Sequence, residues 1–78
     1  MEIILLPDAL DDLQYWERSG NKVIQNRIRK LLLAIRENPF EGIGKPEPLR
    51  HNLSGKWSRR ISNEHRLIYA VQDKTINV

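Results

Sequence analysis

Apolar residues recur at helical intervals in the first half of the chain and at alternate positions in the second, and the pattern changes at Pro39. Residues 2–6, Glu-Ile-Ile-Leu-Leu, form a short apolar run closed by Pro7 and read as a buried strand. Asp8 suits a helix N-cap, and Asp11 and Asp12 suit the positive end of that helix. Leu10, Leu13 and Trp16 then mark an inner helical face. Ser19-Gly20-Asn21 interrupts it. A second helix is predicted over residues 22–37, with an apolar stripe of Ile24, Ile28, Leu31, Leu32 and Ile35. It ends at Asn38, because a residue before proline disfavours the helical region.

From Pro39 the chain reads differently. Pro39, Gly42, Gly44, Pro46 and Pro48 exclude a helix over residues 39–48. Strand-like runs follow at residues 47–50, 57–61, 66–71 and 75–78. Turns at Leu53-Ser54-Gly55, Ser62-Asn63-Glu64 and Gln72-Asp73-Lys74 separate them. The predicted fold class is α+β in a single domain, residues 1–78. It has one N-terminal strand, a two-helix hairpin and an antiparallel meander of three to four strands packed on the helices. Side chains alternate between the faces of a strand. Trp57, Arg59 and Ile61 therefore share one side, with Ser58 and Arg60 on the other. Leu67, Tyr69 and Val71 oppose Arg66, Ile68 and Ala70. If the apolar sets face the helices, Arg60 and Arg66 point to the open face.

Composition narrows the class. The chain has 78 residues and no cysteine, so no disulfide or thiolate–metal site supports its small core. No apolar run approaches the roughly 20 residues that span a bilayer. The N-terminal segment carries an acid and too short an apolar run for a signal peptide. The reading is a soluble, cytoplasmic protein. Charge is uneven. Residues 1–44 carry a net −1 and residues 45–78 a net +4. A polyanion partner fits the second half, and so does a plain solvated basic surface.

Between residues 45 and 60 the only carboxylate is Glu47, among Lys45, Arg50, His51, Lys56, Arg59 and Arg60. It lies in Lys45-Pro46-Glu47-Pro48, where two prolines stiffen the backbone. A base on a stiff mount beside cations is what RNA cleavage asks for: one group takes a hydroxyl proton while others hold the phosphate. A surface glutamate in a proline-rich loop is the plainer alternative. Arg66, Arg60, Arg59 and Arg50 are the phosphate candidates, because guanidinium groups pair with phosphate oxygens and stay charged. Singly, each is as well explained as a cation that keeps a strand soluble. His51 and His65 are candidate general acids, the role imidazole commonly fills, or simple hydrogen-bonding groups. Two separated histidines make a poor metal set. Gly42-Ile43-Gly44 lacks the rest of any nucleotide-binding fingerprint. Trp57 and Tyr69 share parity with core residues and are read as core.

The stretch Lys-Pro-Glu-Pro-Leu-Arg-His-Asn-Leu-Ser-Gly-Lys-Trp-Ser-Arg-Arg-Ile, residues 45–61, followed by Glu-His-Arg-Leu-Ile-Tyr-Ala-Val, residues 64–71, resembles the YoeB/Txe toxins of the RelE superfamily. Asp11-Asp12-Leu-Gln-Tyr-Trp fits the same pattern, and the resemblance covers essentially the whole chain. It implies a toxin of a type II toxin–antitoxin pair, a ribosome-dependent mRNA endoribonuclease that uses no metal or organic cofactor. Carried onto this sequence, it makes Glu47 the general base and Arg66 the stabiliser of the phosphate. Arg60 and Arg50 would hold substrate, and His51 matches a residue with a structural or substrate-positioning role. Lys45 and Arg59, picked out by charge, complete the candidate substrate-binding set. The implied partners are a YefM/Phd-type antitoxin, the 70S ribosome with its mRNA, and a second copy in a loose homodimer. The family pattern continues past Val78 into a tail bearing a His and a Tyr. The resemblance therefore predicts impaired cleavage for this chain. A non-catalytic antitoxin- or ribosome-binding protein and a ParE-type gyrase poison remain as alternative readings.

Overall fold

A computed structural model describes residues 1–78. The elements are β1 (Glu2–Ile4), α1 (Pro7–Ser19), α2 (Lys22–Glu37), β2 (Glu47–Pro48), a 3-10 turn at His51–Leu53, β3 (Lys56–Arg60), β4 (Arg66–Gln72) and β5 (Thr75–Asn77). The five strands form one mixed sheet in the order β1-β5-β4-β3-β2. β2 to β5 run antiparallel in sequence, and β1 lies parallel to β5 at the far edge. The α+β reading and the helix–meander order hold.

The helix ends show what decides local structure. Asp8 is not the N-cap of α1. Pro7 occupies the first helical position, where its fixed φ is already helical and its missing N–H is no loss, so the cap falls on Leu6. Gly20 closes the helix in the left-handed region, donating its N–H to the Glu17 carbonyl. Asn21 caps α2 by accepting from the Ile24 amide at 3.1 Å.

The two helices differ in how firmly they sit. Ile28, Leu31 and Ile35 of α2 are buried, and each contributes about 2 kcal/mol by leaving water. Ile28 and Ile35 form the core with Leu67, Tyr69 and Ile76 of the sheet. No residue of α1 is fully buried. Leu13 and Trp16 pack against the core, but Leu10, placed on the inner face by its spacing, stays 44% exposed. A groove of about 1090 Å³ opens between α1 and β4, lined by Leu13, Trp16, Ile28, His65, Leu67 and Tyr69 among others. No helix is long and apolar enough to cross a membrane.

Strand parity reads correctly on β4. Leu67 and Tyr69 are buried under α2, whereas Arg66 and Ile68 are exposed on the opposite face. Ile76, fully buried on β5, joins that strand to the same core. Ile76→Ala is expected to lower the unfolding free energy by about 2–5 kcal/mol, read by urea denaturation with tryptophan fluorescence.

Candidate active site on the open face of the sheet

Register brings the chemistry together. Glu47 of β2 lies opposite Ser58 of β3, and Arg60 of β3 lies opposite Arg66 of β4. All four belong to the face away from the helices. Arg66 Nη2 donates to Glu47 Oε2 at 3.0 Å, and Arg66 Nε donates to Ser58 Oγ at 3.0 Å. Ser58 is buried, so its hydroxyl is a fixed acceptor that orients the guanidinium. Two strands and one edge segment thus hold one carboxylate against one arginine on an open surface. The apolar groove beside α1 is lined by Arg66 but not by Glu47, so it is a separate feature.

Glu47 reaches this position through the residues before it. Lys45 takes a positive φ of 51°, between Gly44 at 84° and Pro46. Pro46 and Pro48 can donate no backbone hydrogen bond, so β2 attaches to β3 around them. The Arg60 amide donates to the Gly44 carbonyl at 2.7 Å, and the Leu49 amide donates to the Lys56 carbonyl at 2.9 Å. These bonds bracket Glu47.

The remaining basic residues separate into two groups. Arg60, Arg50, Lys45 and His51 are exposed near β2 and β3 and available to a ligand. His51 begins the 3-10 turn with φ 59°. Arg59 is the correction. It was expected to bind substrate, but it is fully buried on the helix-facing side, as its parity with Trp57 dictates. Its N–H groups are occupied by the Tyr69 hydroxyl and by the carbonyls of Asn38, Glu41 and Ile43. His65 packs edge-on against Trp16 with centroids 5.0 Å apart, away from the Glu47–Arg66 pair in contact terms. Ser58 is the functional neighbour that sequence reasoning passed over. Its shared parity with Arg60 was the available signal, but its bond to Arg66 depends on a cross-strand offset. Nowhere do three His, Asp or Glu side chains converge as a metal site would require.

The family model for the YoeB-like toxin of bacterial type II toxin–antitoxin systems matches residues 5–78. The chain belongs to that family. The chain is 49% identical to Toxin YoeB of Escherichia coli K12 over 76 residues, covering 97% of this chain and 89% of that relative. Among solved structures, a YoeB/ParE toxin from Agrobacterium tumefaciens superposes with a TM-score of 0.93 at 34% identity, covering 99% of this chain and 91% of that one. The YoeB chain of a heterotetrameric YoeB–YefM complex from Staphylococcus aureus superposes with a TM-score of 0.87 at 44% identity, covering 99% and 88%. A YoeB dimer from the same organism gives the same score, identity and coverage. The chain is therefore a toxin of a type II toxin–antitoxin system, with the family's two-helix, five-strand architecture.

Close packing of the segment that leads to Glu47 is open to test. A Cβ on Gly44 would meet Leu31 Cδ2 at 2.6 Å and Arg59 Cβ at 3.1 Å, whereas one on Gly20 meets nothing within 4 Å. Both glycines have positive φ, so both substitutions carry the left-handed penalty. Gly20→Ala is expected to cost about 1 kcal/mol and Gly44→Ala about 3 kcal/mol, compared in parallel urea titrations.

Proposed function

We propose that this toxin is an endoribonuclease acting on ribosome-bound mRNA, with Glu47 as general base and Arg66 as the group that stabilises the phosphate. The observation that carries the reading is the Glu47–Arg66 pair, 3.0 Å apart on an open cationic face. In the free protein each partner holds the other in place. An RNA phosphate competes for the guanidinium, and Glu47 is then left beside the ribose 2′-hydroxyl. The carboxylate takes the hydroxyl proton, the 2′ oxygen bonds to phosphorus, and the bond to the 5′ oxygen breaks. That oxygen picks up a proton from water. The products are a 2′,3′-cyclic phosphate and a 5′-hydroxyl end. The protein's own contribution is positioning and charge, and the route needs no metal ion.

Arg60, Arg50, Lys45 and His51 supply the surface along which the RNA backbone lies. The resemblance to Staphylococcus aureus YoeB, seen with YefM and as a dimer, supports an antitoxin of the YefM type and self-association as the protein partners. The +4 charge of residues 45–78 suits an acidic antitoxin segment as well as RNA. In this reading the ribosome aligns the message for a 9.2 kDa chain that has little surface of its own, and the protein acts in the cytoplasm. Family membership does not favour a purely non-catalytic binding protein.

Primer extension on mRNA from a purified translation reaction tests this. Glu47→Gln is expected to lower cleavage by about 100- to 10,000-fold while antitoxin binding persists. Arg66→Lys keeps the charge but loses the paired donors, so it too should slow cleavage strongly. Undiminished cutting by Glu47→Gln would refute the assignment.

A further inference from the structure

Arg59 carries a positive charge into a core that has few buried residues. An apolar side chain of similar volume would avoid desolvating an ion and often stabilises such a position. What it cannot do is hold the loop above it. Arg59 Nη2 donates to the carbonyls of Asn38 at 2.6 Å and Glu41 at 3.0 Å, and Nη1 donates to that of Ile43 at 3.2 Å. Nε donates to the Tyr69 hydroxyl at 3.0 Å, and that hydroxyl donates to the Pro39 carbonyl at 2.6 Å. One guanidinium and one phenol thus fix four carbonyls in residues 38–43. Gly44 then packs on Leu31 and Arg59, and the next three residues are Lys45, Pro46 and Glu47.

β2 is only two residues long and is flanked internally by prolines without N–H groups. Its own ladder is too short to fix a side chain. The position of Glu47 is therefore set upstream. We propose that Arg59, together with Tyr69, is a positioning residue for Glu47: it pins residues 38–44 to the core and so sets the carboxylate at its contact distance from Arg66. The inference deepens the ribonuclease reading above and rests on it for its link to catalysis. Arg59 touches no substrate. It acts through the loop.

Arg59→Lys retains a charge but cannot reach three carbonyls and a hydroxyl at once. Tyr69→Phe removes one hydroxyl, a milder change that carries the test if the lysine variant does not fold. Ile76→Ala serves as a comparison that destabilises the same core without removing any hydrogen bond to the loop. Two readouts apply: cleavage kinetics on translating ribosomes, and the Arg66 Nε–H signal with the amides of residues 44–49 in ¹⁵N–¹H spectra. In Arg59→Lys, kcat is expected to fall about 10- to 100-fold with KM within about twofold, and in Tyr69→Phe by less. The Arg66 Nε–H signal should move in both variants and stay put in Ile76→Ala. If kcat and that signal match wild type in Arg59→Lys and Tyr69→Phe, or only follow Ile76→Ala, the positioning role is wrong. The two ideas fail separately. Absence of cleavage by the wild-type protein removes the ribonuclease reading, and normal cleavage by Glu47→Gln removes the base assignment, while the Arg66 signal still reports whether Arg59 places Glu47.

Discussion

A guanidinium can leave water only where its N–H groups find acceptors, and in this protein Arg59 meets that condition fully. Its acceptors are backbone carbonyls of an otherwise unsupported segment. The same bonds that make burial of the charge tolerable therefore give a run rich in proline and glycine one fixed path. The sheet, α2 and the loop meet at this point. Tyr69 contributes from β4, Leu31 from α2 and Gly44 from the loop. No buried polar side-chain atom is left without a partner, as a small core requires.

This arrangement explains a division within the molecule. The helix-facing side is occupied by α2 and by the Arg59 network, with an apolar groove left beside α1. The opposite side carries exposed Arg60, Arg66 and Glu47 around a single buried hydroxyl, Ser58. Rigidity on one face and chemistry on the other are linked through the thickness of one sheet. Adjacent residues of β3, Ser58, Arg59 and Arg60, serve orientation, anchorage and exposure in turn, because alternate side chains project to opposite faces.

Much of this was legible in the sequence. The stripe of α2 is regular enough that its limits, Lys22–Glu37, follow from spacing and from Asn38-Pro39. Glu47 stood out as the lone carboxylate between prolines among cations. Arg59 was misplaced because its residue type suggested phosphate while its parity with Trp57 already pointed inward, and parity prevailed. Leu10 and Asp8 were misread for a related reason: Pro7 sets where α1 starts, and α1 leans on α2 more than on the sheet. The Glu47–Arg66 contact lay beyond sequence reasoning, since it depends on how β2, β3 and β4 are offset. Residues 19 apart meet only once those offsets exist.

The parallel pairing of β1 with β5 joins residues 2–4 to residues 75–77. Those segments lie far apart along the chain, and a contact between them closes a longer loop than any other strand pairing in the sheet. While the chain is being made, α1 and α2 can form from local contacts, but β1 has no strand to join. Arg66, on β4, is likewise made after Glu47, the carboxylate it holds. The order of synthesis thus leaves β1 unpaired until β5 has been made, and the carboxylate without its arginine until β4 has been made.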